Sequence, residues 1–511
     1  MEKSENTGNM EKEILGKSII YSFSLYARIF VKLVSGLFIA KLLGPSLFGL
    51  KNAYDLAMEY ESNSDLGTFN ALNRMAPYYR GAKEHDKASG AIGSVFCVNL
   101  YYAATVAVVL IIVSRYLEYS GFEQQYVDFM LFLGLTVLTK KIYLFLQTKL
   151  KIDHRFYELS VNQLLYGITA AGLSVTFVIF WGFRGVLAGL LAADVIGIGH
   201  LLTKERRLPA LKISFSLYWQ LLKIGFPMMV LFLLIMLLAN LDRTLILAMI
   251  SEKALGFFGI ATVASGVVLT IPGAVHSVTL APVMEKLGRT RDALAIRHYL
   301  NEPMVLMAYI LPVFIACIYF AVHLPLRYYL DQYGPSIQVI QILVIGTYFQ
   351  SVASPVLSVC LALNKQVRLI GLVIPMVALN FVLNYAFIRA GWGINGVAAG
   401  TSITFFVSFC LLLYFSSLLF QDNISTYFKD VAIVFLPFAY SCVLIFCIEM
   451  FIDFPIHGLW LDMGVTLGKI FVFMLGYSLL LYRLRRHSGF VKLYANLRIL
   501  LENFRHRKTC L

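Results

Sequence analysis

Fourteen separate stretches of this chain are long and apolar enough to cross a lipid bilayer, and that pattern dictates its fold class. They lie at about 18–40, 48–73, 90–114, 125–147, 158–180, 184–203, 219–248, 255–284, 303–323, 335–362, 367–388, 393–419, 430–451 and 462–482. A hydrocarbon core about 30 Å thick takes about 20 residues of helix but only about 10 of tilted strand. Lipid offers the backbone no hydrogen bonds, so segments of this length span as helices. The expected fold is therefore an all-α polytopic membrane protein with about 14 transmembrane helices. With 59% of its residues hydrophobic and 14% charged, the chain is neither a soluble enzyme nor a disordered polymer. The least apolar stretch is 48–73, which carries Asp55, Glu59, Glu61 and Asp65. The first stretch lacks the short apolar region and small-residue cleavage site of a signal peptide, and reads as an uncleaved anchor.

The formal net charge is +14, which in a soluble domain would suggest nucleic acid. Its distribution argues otherwise. With the N-terminus in the cytoplasm, the cytoplasmic segments hold 32 Lys and Arg and the outer loops 7. That asymmetry predicts cytoplasmic N- and C-termini and an even number of helices. Four cations, Arg28, Lys32, Arg243 and Lys469, are left inside helices. The basic C-terminal tail serves as a topology anchor or contacts anionic headgroups. The outer loops are too short for an external catalytic domain. The seven Cys form no CxxC pair and the nine His no ligand-spaced cluster, so no metal centre, catalytic group or organic cofactor is expected. No nucleotide-binding GxxxxGK[ST] loop occurs either.

An internal repeat organises the helices. Trp181–Gly189 reads WGFRGVLAG and Trp392–Gly400 reads WGINGVAAG, identical at six of nine positions and 211 residues apart. A weaker echo sets Leu43–Gly49 against Ile250–Gly256, with the final glycines 207 residues apart. An offset of six helices preserves direction through the membrane, so the two copies form a parallel pseudo-twofold repeat. The expected organisation is a cytoplasmic N-terminal tail (1–17), an N-lobe of helices 1–6 (18–203), a cytoplasmic linker (204–218), a C-lobe of helices 7–12 (219–419), two appended helices (430–482) and a basic cytoplasmic tail (483–511).

The segments KLLGPSLFGL (41–50), DLGTFNALNRMAPYYRG (65–81), LLKIGFP (221–227), LDRTLIL (241–247) and NFVLNYAFIRAGWGINGVAAGTSI (380–403), in that order and spacing, resemble the polysaccharide-export flippases. This is the O-antigen type within the multidrug/oligosaccharidyl-lipid/polysaccharide (MOP) exporter superfamily. The resemblance runs over about 17–420. It implies a non-enzymatic transporter of the inner, cytoplasmic membrane. Such a protein moves polyprenyl-pyrophosphate-linked oligosaccharides to the outer leaflet by alternating access through a cationic cavity between lobes. Polysaccharide polymerase and assembly proteins would be its partners besides lipid. The competing reading is a multidrug/cation antiporter of the same superfamily.

A pyrophosphate cannot cross hydrocarbon unpaired, so intramembrane cations are the candidate site. Arg28 and Lys32, four residues apart, share a helix face; the guanidinium offers a bidentate fork and the ammonium a point charge. The structural alternative pairs them with the acids of helix 2. Arg243 in helix 7 is the third substrate-contact candidate, against snorkelling towards an interface. Glu61 and Asp65 are candidates for binding a coupling ion, H⁺ or Na⁺, and Asp242 for cavity lining or gating. Asp194 and Lys469 are further buried charges, and Asn380 and Asn384 read as interhelical glue.

Overall fold

The structure, a computed structural model, describes residues 2–153, 155–204, 213–290, 297–363, 365–421, 423–452 and 458–484. They are helical throughout, with no strand among the described residues. The helices are α1 (Glu2–Glu61), α2 (Thr68–Gly81), α3 (His85–Tyr119), α4 (Gln124–Ile152), α5 (Phe156–Lys204), α6 (Phe215–Met249), α7 (Glu252–Thr290), α8 (His298–Ala321), α9 (His323–Tyr328), α10 (Ser336–Ala362), α11 (Gln366–Arg389), α12 (Gly393–Leu419), α13 (Ile424–Phe451) and α14 (Leu459–Leu484). Twelve are long and apolar enough to cross a membrane. Of these, α5 contains two of the fourteen apolar stretches, and α1 contains the first and the start of the second.

Both break at glycine. In α1, Gly44 takes φ 70°, and in α5, Gly182 takes φ 55°; residues with a Cβ avoid this region. After Gly182 the chain doubles back closely. A Cβ on Gly185 would stand 2.0 Å from the Phe177 carbonyl oxygen, and one on Gly189 2.6 Å from the Ser174 backbone. The second copy of the motif repeats the geometry. Gly393, the mate of Gly182, also has φ 55°, and Gly400, the mate of Gly189, lies against Asn384. The echoed glycines at 49 and 256 have a structural reason as well. A Cβ on Gly49 would lie 1.8 Å from the Glu252 carbonyl oxygen, and one on Gly256 1.9 Å from that of Pro45. Pro45 and Glu252, like Gly49 and Gly256, are 207 residues apart, so each glycine packs on the mate of the other's neighbour. This reciprocal exchange is the signature of a two-fold axis.

The chain forms two compact units, 1–259 and 260–511. The first takes in α6 and the start of α7, which the repeat assigns to the second copy. Its core is an apolar cluster around Phe69, Leu72, Val95, Phe145, Leu146 and Leu159. In the second unit the appended helices pack onto the repeat helices. The Tyr348 hydroxyl on α10 donates to the Val434 carbonyl of α13 at 2.6 Å. On α14, Phe473 and Tyr477 join Ala316 and Phe320 of α8 in a buried cluster. Asn380 and Asn384 are fully buried and hydrogen-bond each other and Thr401 of α12, the glue role expected of them. The basic tail from 485 onward and linker residues 205–212 lie outside the described residues.

Two expectations need correction. The stretch at 48–73 is not one helix: the chain leaves helical geometry at 62–67 and resumes as α2, which continues to Gly81. And Lys140 and Lys141, tallied above with the cytoplasmic charges although they fall within the 125–147 stretch, lie inside α4. Their removal lowers the cytoplasmic tally by two and leaves its direction intact.

Candidate functional site

Several charged and polar side chains of the first unit lie at a similar depth. The turns near Gly44, Gly121, Gly182 and Ile250 mark one end of the unit, tied together by Tyr126 to Glu252 (3.2 Å) and Arg184 to Asp128 (3.7 Å). Measured down the helices from those turns, Arg28, Lys141, Glu61 and Gln163 all lie about 25 Å in, at 1.5 Å per residue. Lys32 and Asp55 lie somewhat nearer the turns.

Arg28 packs on α5. Its guanidinium donates to the Gln163 side chain, and its stem lies over Gly167, where a Cβ would come within 2.8 Å of it. Lys32 is exposed. Among the described residues neither cation has a carboxylate within ion-pair distance. Asp55 is the strongest charge acting on Lys32, with Lys51, Glu59 and Arg243 also in range. Asp55 itself is bridged to Lys51 at 2.6 Å. The short ion pairs of the nearby carboxylates are made with other cations: Asp55 with Lys51, Glu59 with Arg243 and Glu61 with Lys141.

Lys140 faces the same region. Its ammonium sits 2.6 Å from Asp194, 2.6 Å from the Tyr166 hydroxyl and 4.3 Å from the Tyr166 ring centroid. Asp194 is fully buried, so Lys140 neutralises a carboxylate that would otherwise be costly. Its neighbour Lys141 is turned towards α1, pairing with Glu61 at 3.1 Å.

The remaining candidates separate by role. Glu61 is held by Lys141 and by the Ser64 hydroxyl at 2.9 Å, not by Arg28 or Lys32. Asp65 caps α2: its carboxylate accepts the Phe69 amide at 2.8 Å, and the Thr68 hydroxyl donates to its carbonyl at 2.8 Å. Arg243 bridges to Glu59 at 2.7 Å and also donates to Asn240. Asp242 is buried and its carboxylate accepts the Arg243 amide at 2.7 Å. Tyr60 reaches Thr244 at 2.9 Å beside this pair. The structure therefore brings Arg243 onto the acidic face of helix 2, while Asp242 turns into the protein. Lys469, in the second unit, pairs with Glu449 of α13 at 3.1 Å.

Sequence reasoning missed Lys140, Lys141, Gln163 and Tyr166. A signal was present: the adjacent lysines stand about 12 residues from the C-terminal end of a 29-residue helix, deeper than snorkelling reaches.

A family model described as polysaccharide biosynthesis protein matches residues 81–338. No curated protein sequence matches the chain. Among solved structures, the chain is similar to the lipid II flippase MurJ in an inward closed conformation. The TM-score is 0.66 at 14% identity, over 92% of this chain and 100% of that one. It is also similar to an inward-facing multidrug resistance MATE family transporter of the MOP superfamily, with TM-score 0.63 at 13% identity, over 79% and 96%. A MOP superfamily transporter from Pyrococcus furiosus, whose binding pocket is described as reversed in polarity, gives TM-score 0.51 at 14% identity, over 82% and 97%. At such identities the likeness is one of fold.

Proposed function

This chain belongs to the polysaccharide biosynthesis protein family, and from that premise we propose that it is a flippase for polyprenyl-pyrophosphate-linked oligosaccharides. The observation that carries the reading is the pair of helix 1 cations without carboxylate partners among the described residues. An anion-transporting site must hold positive charge in reserve, and Arg28 and Lys32 hold it. The Arg28 fork grips the pyrophosphate bidentately, and Lys32 adds a point charge. The polyprenyl chain stays in lipid. Movement proceeds by alternating access between the two repeat lobes, from the cytoplasmic to the outer leaflet of the inner membrane, with both termini cytoplasmic. Each negative charge moved outward across 100 mV gains about 2.3 kcal/mol, so a pyrophosphate diester supplies a few kcal/mol of drive without nucleotide hydrolysis. Polysaccharide polymerase and assembly proteins would take the product onward.

A second reading, a multidrug/cation antiporter, is favoured by the carboxylates of the same unit, Asp55, Glu59, Glu61 and Asp194. One experiment separates the two. Deleting the gene should cause polyprenyl-pyrophosphate glycan to accumulate on the cytoplasmic side, with loss of surface polymer. The Arg28→Ala/Lys32→Ala protein should insert normally and fail to restore export. Normal export by that variant would refute the site. Protection against cationic dyes without any glycan phenotype would establish the antiporter instead.

A further inference from the structure

The break at 62–67 ends a half-helix at Glu61, whose carbonyl accepts the Ser64 amide at 2.9 Å, in keeping with the rule that irregular backbone at membrane depth persists only if its polar groups are satisfied. Such an end carries partial negative charge, and interrupted helices of this kind are places where membrane proteins coordinate small cations. Here the position is already filled. The Lys141 ammonium, with its side chain only 2% exposed, lies 3.1 Å from the Glu61 carboxylate and 3.3 Å from the Glu61 carbonyl oxygen. The Ser64 hydroxyl closes on the same carboxylate at 2.9 Å, and the Tyr102 ring faces the ammonium at 5.9 Å. At the other side of the break, Asp65 caps α2, so the two ends are satisfied independently.

A carboxylate and a helix-terminal carbonyl meeting at one nearly buried ammonium, with a partly exposed aromatic ring beyond it, carry one net negative charge and form the ligand set of a hard monovalent cation. We propose that the interruption of helix 2 is a monovalent-cation site that this chain occupies with its own lysine, Lys141 serving as a tethered ammonium in place of Na⁺ or K⁺. The adjacent Lys140 cannot substitute, since it is committed to Asp194 on the other side of α4. The proposal does not depend on the transported substrate. It separates Glu61 from ion coupling in the native chain, because a covalently held cation cannot be exchanged.

The test uses full-length protein in lipid nanodiscs. Its thermal midpoint is measured in NaCl, KCl, methylammonium chloride and N-methylglucamine chloride at equal ionic strength. The native protein should give one midpoint in all four salts. Lys141→Met should unfold several degrees lower in N-methylglucamine and recover most of that loss, saturably, in Na⁺, K⁺ or methylammonium. The Lys141→Met/Glu61→Gln protein should be insensitive to the cation. A well-folded Lys141→Met protein with the same midpoint in every salt would overturn the proposal. Should that variant not fold, Glu61→Gln decides: it should be destabilised with no response to cations, and Lys141→Met in addition should restore it. A double variant no better than Glu61→Gln would overturn the proposal equally.

Discussion

The glycine crossing of α1 and α7 sets up a sharp energetic test of the internal symmetry. A methyl group at Gly49 would stand 1.8 Å from a carbonyl oxygen, and one at Gly256 1.9 Å. Ordinary contact begins near 3.4 Å, so either Ala substitution forces the helices about 1.5 Å apart, an overpacking strain of about 2–3 kcal/mol. Ala is favoured over Gly within a helix by about 1 kcal/mol, leaving each single variant destabilised by about 1–2 kcal/mol. The two methyl groups meet the same crossing, so one separation accommodates both. In Gly49→Ala/Gly256→Ala the strain enters once and the propensity gain twice, for a net cost of about 0–1 kcal/mol. The double variant should therefore be no less stable than either single. Reversible unfolding in mixed micelles, read by tryptophan fluorescence with all three variants in parallel, measures this. Costs that add, giving about 2–4 kcal/mol for the double, would show that the two glycines do not share one contact and would refute the reciprocal packing.

Two other perturbations probe the polar layer. Asp65→Ala should remove the α2 cap and lower stability by about 1 kcal/mol, with Asp65→Asn retaining most of it; equal losses for both would indicate that the negative charge itself matters there. Lys140→Met strands the fully buried Asp194 carboxylate and should cost about 3–5 kcal/mol, most of it regained in Lys140→Met/Asp194→Asn. A double variant as unstable as the single would mean that Lys140 contributes through packing on Tyr166.

How much of this was legible in the residues differs from one feature to the next. Apolar length and the bilayer's refusal of unpaired backbone polar groups determined the helical class, while the fourteen expected spans became twelve helices long and apolar enough to cross among the described residues. The WGxxGVxAG repeat located two turns whose glycines, at 182 and 393, take the same φ of 55°. Such local demands are written in single residues, because only glycine meets them cheaply. Arg28, Lys32 and Arg243 were also conspicuous as charges in apolar runs.

Which charge meets which was not legible, since an ion pair is set by the rotation and crossing of helices distant in sequence. Asp65 became a helix cap only because the chain breaks at 62–67, and Glu61 was claimed by Lys141 across 80 residues. The adjacent lysines at 140 and 141 part about 100° around α4, which sends one to Asp194 and the other to Glu61. The residues alone determined that the chain is helical and which charges sit in apolar runs. Tertiary packing decided which charge meets which, because electrostatic energy depends on distances that only the assembled helices define.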